Sequence, residues 1–190
     1  MKQLIFCLFA LFLSAITGCA SISHKPDVST PPFILKTPDS LPTPVSAYQE
    51  IEIQFNNKHT SFLAAVTVDD KQIIVAIMNS LGQRLFTLES HGSKTTSSGK
   101  LPNELKNHEK HIVRDIQWLF WPIDTLSHNQ QPETWTFSET TNSRSIYYKD
   151  QLIAKITGPN QDRWNGQYSY DNYIYRYHIS VKSTQLVDQN

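Results

Sequence analysis

The feature that most limits the possible fold is a series of short runs in which apolar and polar residues alternate. In the first run, Ile51, Ile53 and Phe55 alternate with glutamate and glutamine. A period of two is that of a β-strand with one buried face and one solvated face. Similar runs follow and are joined by short polar turns at residues 56–58 and 69–71. The pattern therefore predicts consecutive antiparallel strands.

The other strand-like runs fall into two groups. The first group continues through residues 62–68, 73–78 and 84–90, and residues 91–100 are either a loop or a weak edge strand. The second group covers residues 134–139, 145–149, 152–157, 167–170 and 173–181. We expect about eight to eleven strands in all, with no internal repeat of fixed period.

One helix separates the two groups of strands. Asn103 is a plausible N-cap, and Pro122 should end the helix near Trp121 because proline disfavours helical geometry in the residue before it. The residues at helical spacing are Ile112, Val113, Ile116, Leu119 and Phe120. An apolar helix and a large sheet can bury each other. The predicted fold is mainly β with one main helix (α+β), an open antiparallel half-barrel wrapped around that helix.

Residues 1–19 have the features of a bacterial lipoprotein signal. Lys2 gives a positive start, and residues 4–16 are almost wholly apolar. An apolar run of about a dozen residues is shorter than the roughly twenty that span a bilayer, and it suits a secretory signal. The run is followed by Gly18-Cys19, which resembles a lipoprotein box, so we expect cleavage between these residues and lipidation of Cys19. The alternatives are an uncleaved anchor or a secretory signal with a chance cysteine.

The stretch after the cysteine predicts a tether. Residues 20–46 hold six of the chain's 10 prolines, which favours extended backbone and blocks helix formation. Ala20 and Ser21 follow Cys19, and the absence of aspartate there resembles enterobacterial sorting signals for the outer membrane. The predicted division is a lipoprotein signal (1–18), a lipidated cysteine with a proline-rich tether (19–46) and a folded domain (47–190).

Charge and cysteine content exclude several classes of function. The 17 basic residues balance the 17 acidic ones, so no basic field exists to attract nucleic acid. Cys7 would leave with the signal and Cys19 would carry lipid, so no thiol would remain for a disulfide or a cysteine metal site. We therefore expect neither a metal nor a cofactor.

The sequence holds no recognisable catalytic motif. It lacks a Gly-x-Ser-x-Gly elbow, a His-Glu-x-x-His pair and a glycine-rich phosphate loop. His108 and His111 are interpreted as surface histidines rather than zinc ligands, and Asp69 and Asp70 as turn residues rather than paired carboxylates. The sequence therefore predicts that the protein is not an enzyme. A hydrolase whose serine, histidine and carboxylate meet only on folding is the remaining catalytic alternative.

Two aromatic clusters leave alternatives open. Trp118, Phe120 and Trp121 lie within one turn at the end of the predicted helix. They either fill the core or line a cavity that accepts acyl chains, and they are the candidate cavity residues. The tyrosines of residues 173–177 either form a cross-strand ladder in the core or contact a flat or sugar-like ligand.

Several motifs occur in an order that is typical of one group of envelope proteins. A lipoprotein signal and proline-rich tether precede apolar strands ending in Leu-Gly, a mid-chain helix and late strands. This order resembles the outer-membrane lipoprotein receptor LolB and its relatives. Residues 115–122 (Asp-Ile-Gln-Trp-Leu-Phe-Trp-Pro), with 164–166 and 177–179, more closely resemble a LolB-like family of small bacterial lipoproteins of uncharacterised function, often encoded with aryl polyene or related lipid biosynthesis genes. The resemblance covers most of residues 48–181.

The resemblance implies a fold and a set of roles. LolA/LolB-like domains are half-barrels whose apolar cavity takes acylated cargo, which LolB receives from a periplasmic LolA-like carrier. A leucine on a protruding turn contacts the membrane, and Leu81 is the matching residue here. Ser80 stands where the family usually has proline, and the alternative is that Leu81 packs under its own hairpin.

The expected function follows from this resemblance. The chain would be a periplasm-facing lipoprotein of the outer membrane, anchored through Cys19, that binds an acylated or polyene lipid, or a lipoprotein, and helps deliver it to that membrane. The alternative is a non-catalytic envelope assembly lipoprotein that binds a protein partner.

Overall fold

The computed structural model describes residues 31–100, 107–130, 134–159 and 161–186. The first strands are β1 (Val45–Phe55), β2 (Lys58–Val68), β3 (Ile73–Met78), β4 (Arg84–His91) and β5 (Lys94–Gly99). Two helices follow, α1 (Glu109–Phe120) and α2 (Ile123–Ser127). The remaining strands are β6 (Trp135–Thr140), β7 (Ser143–Tyr148), β8 (Gln151–Thr157), β9 (Gly166–Asn172) and β10 (Tyr177–Gln185).

All of these strands belong to one antiparallel sheet. Its order is β5-β4-β3-β2-β1-β10-β9-β8-β7-β6, so two five-stranded meanders meet where β1 pairs with β10. The sheet is open, with β5 and β6 at its edges. The mostly β fold with one main helix is confirmed, and the half-barrel description is broadly consistent with the structure.

Short turns keep neighbouring strands adjacent. Asn56 and Asn57 both have positive φ, which is the geometry of a tight hairpin turn and one that asparagine tolerates well. At the β2–β3 turn, Asp69 Oδ1 accepts hydrogen bonds from the backbone N–H groups of Lys71 and Gln72, each at 2.8 Å. The interpretation of Asp69 as a turn residue is confirmed.

One face of the sheet, here called the inner face, packs against α1. Alternate residues of the central strands point to this face, such as Ala64, Val66 and Val68 in β2, and they are buried. Val113 and Trp118 on α1 are buried in the same core. Because α1 is amphipathic and the strands alternate, the helix and the sheet exclude water from each other's apolar surfaces.

The helices link the two edges of the sheet. At one edge, the Ser97 hydroxyl of β5 donates to Glu109 Oε1 at the start of α1 (3.1 Å). At the other edge, α2 packs against β6. The helix ends at Phe120, before Pro122 as predicted, whereas the predicted N-cap Asn103 lies outside the described residues. Among the described helices, none has the length and apolar character needed to cross a membrane.

Residues 31–44 differ from the predicted free tether, because they pack onto the domain. The Gln117 side chain both accepts a hydrogen bond from Lys36 N (3.0 Å) and donates one to Lys36 O (2.8 Å). The Gln130 side chain likewise accepts a hydrogen bond from Ile34 N (3.3 Å) and donates one to Ile34 O (2.7 Å). Two glutamines thus satisfy the backbone of a proline-rich segment that has no strand partner. The packed part of the chain begins before residue 46.

The last strand also begins later than the alternation predicts. Residues 173–176 form the β9–β10 turn, and β10 starts at Tyr177. Asn172 Oδ1 accepts hydrogen bonds from Ile174 N (3.1 Å) and Tyr175 N (3.0 Å), and Arg176 has positive φ. The tyrosine alternation therefore continues across a turn. Residues 94–99, left open between loop and edge strand, form edge strand β5.

Candidate functional site

The inner face is well covered at one end and incompletely covered at the other. The inner-facing residues at the start of β1 are buried, whereas Ile51 and Ile53 are half-buried and Phe55 is 41% exposed. Of their cross-strand partners, Phe62, Ile179 and Tyr177 are half-buried, whereas Thr60 and Lys58 are exposed and Val181 is buried. We call this surface the apolar opening; its residues are Ile51, Ile53, Phe55, Phe62 and Ile179.

The apolar opening lies at the same end of the sheet as four turns. Because neighbouring strands alternate in direction, the β1–β2, β3–β4, β7–β8 and β9–β10 turns all lie at this end, here called the turn end. Tyr173, in the β9–β10 turn, is also 47% exposed. The turn end therefore carries Phe55, Leu81 and Tyr173, which are three of the six exposed large apolar or aromatic residues in the described part of the chain. Exposed apolar groups that lie together occur at ligand and membrane contacts.

Leu81 is the most exposed large apolar residue of the described structure, with 80% of its surface accessible. It lies in the β3–β4 turn. Asn79 Oδ1 fixes the backbone on either side of the tip by accepting hydrogen bonds from Leu81 N (3.0 Å) and Gln83 N (2.9 Å). Gly82 has φ +75°, a conformation that glycine adopts without strain. The turn is thus held in place without a proline, and Leu81 does not pack under its hairpin.

Charge differs between the two ends of the sheet. Near the turn end, Lys58 and Arg84 begin β2 and β4, and Arg176 lies in the β9–β10 turn. Asp171 at this end is paired with His178. The opposite end carries Asp39, Asp69, Asp70, Asp124, Glu139 and Asp162 against Lys71, Lys94, Arg144 and Arg163. The turn end is therefore the more basic one.

The three candidate cavity residues lie in different surroundings. Trp118 and Trp121 are fully buried, and Trp121 Nε1 donates a hydrogen bond to Ser40 Oγ (2.9 Å). Phe120 is also buried but stacks on Trp164, with ring centroids 4.2 Å apart, and borders a cavity of about 620 Å³. Of the three, only Phe120 borders this cavity.

A buried polar network fixes the middle of α1. Asp115 Oδ1 accepts hydrogen bonds from Arg114 (3.2 and 3.0 Å) and from the Tyr170 hydroxyl (2.9 Å), and Oδ2 accepts one from the Tyr177 hydroxyl. The Arg114 guanidinium lies 4.4 Å from the centre of the Trp118 ring. Burial, reinforced by the Asp115 carboxylate, raises the pKa of both tyrosines well above 10.0, so the hydroxyls remain donors. No local pattern in the sequence indicates this long-range network.

Histidines lie close to other polar side chains at two places in the structure. The Nδ1 atoms of His108 and His111 lie 3.0 Å apart. Burial lowers the pKa of His111, and the positive charge of Arg114 also lowers it. On the outer face, His178 Nδ1 lies 2.7 Å from Asp171 Oδ1 and His178 Nε2 lies 3.4 Å from Ser180 Oγ. Within the part of the chain that the structure describes, no three His, Cys, Asp or Glu side chains are grouped to hold a metal.

The outer-face contact has the residue types of a Ser-His-Asp triad but not its setting. Ser180 lies within β10, which pairs with β1 on one side and β9 on the other. The backbone amides around it are therefore committed to the sheet rather than directed at an oxyanion, which such catalysis requires. We interpret the contact as a cross-strand polar pair with an adjacent serine.

The residues predicted to carry the lipid anchor lie outside the described structure. Gly18 and Cys19 belong to residues 1–30, which the structure does not describe. Cleavage and lipidation at this position therefore stay predictions.

The fold and the site define a small domain in which an open ten-stranded antiparallel sheet holds a helix and exposes apolar side chains at one end. The chain belongs to the family DUF3261, described as "Protein of unknown function", whose model matches residues 46–185. A crystal structure of a LolA superfamily protein from Nitrosomonas europaea aligns with a TM-score of 0.40 and 7% identity, covering 83% of this chain and 93% of that one. Comparison with curated proteins finds no match.

Proposed function

We propose that this protein is a non-catalytic lipoprotein, anchored to the outer membrane through Cys19 and facing the periplasm. It binds an acylated or polyene lipid, or a lipoprotein, and helps deliver it to that membrane. The observation that carries the proposal is the apolar opening on the inner face. The resemblance to LolB-like lipoproteins supplies the anchor, the compartment and a LolA-like carrier as donor.

The apolar opening has the chemistry that an acyl chain requires. Its five residues are aliphatic or phenylalanine, and they continue the buried core outward to the turn end. Burying a methylene of a lipid chain gains about 0.8 kcal/mol. A chain that lies along this surface can therefore be held without a charged protein group or a cofactor. Binding of this kind needs no catalytic group.

The turn end is suited to face a bilayer. Leu81 can enter the interface, while Lys58 and Arg84 lie in the same group of turns and can approach anionic headgroups. A cargo held at the apolar opening would then be released next to the membrane. The acidic opposite end would face away from the bilayer.

Native mass spectrometry of the protein purified from its own envelope tests cargo binding. A bound molecule that extracts into organic solvent and has the mass of a lipid is the expected result. An empty protein that also takes up no fluorescent fatty acid would contradict the proposal. A stoichiometric protein partner without lipid would support an assembly lipoprotein instead.

Substitution of Leu81 by glutamate tests its role in membrane contact. Leu81→Glu should reduce transfer of cargo to vesicles at least about 10-fold, because a carboxylate at the tip opposes insertion. Leu186→Glu is the matched control, since Leu186 is 43% exposed and lies at the opposite end. Equal transfer by Leu81→Glu and the unmodified protein would remove Leu81 from the proposal.

A further inference from the structure

A cavity with a mainly polar lining lies between two neighbouring turns at the turn end. Its volume is about 580 Å³, within the range of about 300–1,000 Å³ typical of small-ligand sites. One wall comes from the end of β1 and the β1–β2 turn, and the other from the β9–β10 turn and the strand ends on either side of it. We call this cavity the polar pocket; its residues used below are Gln54, Asn56, Asn57, Asp171, Tyr173 and Arg176.

The polar pocket is distinct from the apolar opening. Gln54, His178 and Asp171 line the pocket and are cross-strand neighbours on β1, β10 and β9. Side chains alternate between the two faces along β1, so Gln54 points away from the inner face that carries Ile53 and Phe55. The end of β1 therefore separates the pocket from the opening.

The three tyrosines in and next to the β9–β10 turn have different surroundings. Tyr177 donates its hydroxyl to the Asp115 carboxylate, and the Tyr175 ring packs on that of His111, with centroids 5.3 Å apart. Tyr173 lines the polar pocket with 47% of its surface exposed. Of the two interpretations of these tyrosines from the sequence, core packing fits Tyr177 and ligand contact fits Tyr173.

The wall that carries Tyr173 is held in place by the buried side chain of Asn172. Its Oδ1 accepts the two backbone hydrogen bonds of the β9–β10 turn, and its Nδ2 donates to the hydroxyls of Tyr170 (3.0 Å) and Tyr177 (3.1 Å). All the hydrogen-bonding capacity of this amide is thus used to fix the turn. Tyr173 lies on a fixed support, which lowers the entropy that is lost when a ligand binds.

Other polar groups of the pocket are not used by the fold. The side-chain amides of Gln54, Asn56 and Asn57 have no hydrogen-bond partner among the described residues. Asp171 Oδ1 pairs with His178 Nδ1 (2.7 Å), whereas no described residue binds Asp171 Oδ2. The pocket therefore presents both donors and acceptors next to an exposed aromatic ring.

This combination of groups defines a ligand class. We propose that the polar pocket binds an uncharged sugar ring of hexose type, with Tyr173 against its C–H face and the amides on its hydroxyls. Sugar hydroxyls both donate and accept hydrogen bonds, as amides do, while Asp171 supplies an acceptor and Arg176 supplies donors. The positive charge of Arg176 is opposed by that of the Asp171 carboxylate, so the lining does not select a multiply charged anion. The site does not depend on the proposed function.

Saturation-transfer NMR tests the pocket on the full-length protein in phosphatidylcholine nanodiscs. The probes are the methyl glycosides of glucose, galactose, mannose and N-acetylglucosamine, which carry no lipid chain. At least one should receive saturation from the protein and none from empty nanodiscs. Failure of all four sugars would overturn the polar pocket. It would leave the lipid-binding proposal standing, because extraction of bound lipid tests that separately.

Substitution of Tyr173 tests the aromatic contact. Tyr173→Ala should raise the Kd of the bound glycoside at least about 5-fold, whereas Tyr173→Phe keeps the ring and should retain most of the affinity. Tyr48→Ala is the matched control, since Tyr48 is 54% exposed and does not line the pocket. Equal effects of the two alanine substitutions would contradict the proposal.

Substitution of Asn57 tests the amide contacts without disturbing the turn. Asn57 has φ 61°, and glycine adopts positive φ without strain, so Asn57→Gly removes only the side chain. The Kd should rise about 5-fold, because hydrogen bonds to the sugar are lost. Asp150→Gly is the matched control, since Asp150 has the same φ in the β7–β8 turn and does not line the pocket. An unchanged Kd for folded Asn57→Gly would count against the site, and urea unfolding of each variant shows whether it folds.

The sugar can come from solution or from the headgroup of a glycolipid. Nanodiscs that also contain monoglucosyl diacylglycerol distinguish the two sources. A glucolipid headgroup in the pocket should displace methyl glucoside and reduce its saturation. Undiminished saturation of methyl glucoside would assign the pocket to free sugar.

Discussion

At the scale of single residues, Asp115 holds α1 in position on the sheet. Its carboxylate is mostly buried and accepts hydrogen bonds from Arg114, Tyr170 and Tyr177. The two tyrosines come from β9 and β10, so one helical side chain joins three elements. A buried charge of this kind is stabilising only while all its partners are present.

Removing the Asp115 charge should therefore destabilise the protein strongly. Asp115→Asn leaves the buried Arg114 guanidinium without its counter-charge, and we expect a loss of about 3–5 kcal/mol in the free energy of unfolding. Urea titration followed by tryptophan fluorescence measures this loss. Asp150→Asn is the control, because Asp150 is an exposed turn residue. This substitution should change the free energy of unfolding by no more than about 0.5 kcal/mol. Equal effects of the two substitutions would show that the network contributes little.

The same network predicts a loss of stability at high pH. The pKa of Tyr170 and Tyr177 is raised in the folded state, so above about pH 10 the unfolded chain releases these protons while the folded chain keeps them. Unfolding then becomes more favourable by up to about 1.4 kcal/mol per pH unit for each tyrosine. Below pH 10 this contribution is fully present.

Unfolding free energies measured from pH 8 to 11 test this expectation. Tyr177→Phe removes one of the two groups and should make the decline above pH 10 shallower. Parallel pH profiles for Tyr177→Phe and the unmodified protein would contradict the assignment.

Single residues also show where prediction from the sequence stops. Alternation in β1 and β2 identifies their inner-facing residues, since that pattern is local. The pairing of Arg144 and Arg163 with Glu139 joins β7, the loop before β9 and β6, and no spacing in the chain encodes it. Leu81 could be placed on a turn from its polar neighbours, but its exposure depends on what the whole fold leaves uncovered.

At the scale of elements, the segment before β1 is the main departure from expectation. Proline density correctly indicates that residues 31–44 pair with no strand, although a short 3₁₀ helix forms at Pro38–Ser40. It does not reveal that Gln117 and Gln130 replace a strand partner, or that Phe33 contacts the Trp118 and Trp135 rings at 5.5 and 5.3 Å. Composition predicts backbone conformation here, whereas packing depends on residues about a hundred positions away.

Deleting this segment should therefore cost stability. A protein that begins at Val45 loses the contacts of Phe33 and the backbone partners of both glutamines, so we expect it to be less stable by about 4 kcal/mol than one that begins at Pro31. Urea midpoints of the two proteins measure the difference. Phe33→Ala in the longer protein should account for about 2 kcal/mol of it. Equal midpoints would indicate that residues 31–44 act only as a tether.

At the scale of the whole molecule, the sheet has two ends of different character. The meander topology places the β1–β2, β3–β4 and β9–β10 turns together, and these carry Leu81, Phe55 and the basic residues. The net charge of zero hides this difference, because it is a sum over both ends. Local sequence patterns do not determine the strand order, and without it the turn end could not be located.

This asymmetry predicts how the protein meets a bilayer. Each basic residue near an anionic surface contributes about 1 kcal/mol to binding, so the double substitution Lys58→Glu and Arg84→Glu should weaken binding to phosphatidylglycerol vesicles by at least about 10-fold. The matched control is Lys71→Glu with Lys94→Glu, which changes the charge equally at the acidic end. Binding is measured by vesicle co-sedimentation. All the proteins carry Cys19→Ser, so that the predicted lipid anchor does not contribute to binding. Because these contacts are electrostatic, raising the salt concentration should remove the difference between the two variants. A control variant that binds as weakly as the Lys58/Arg84 variant would mean that net charge, not the turn end, directs the protein to the membrane.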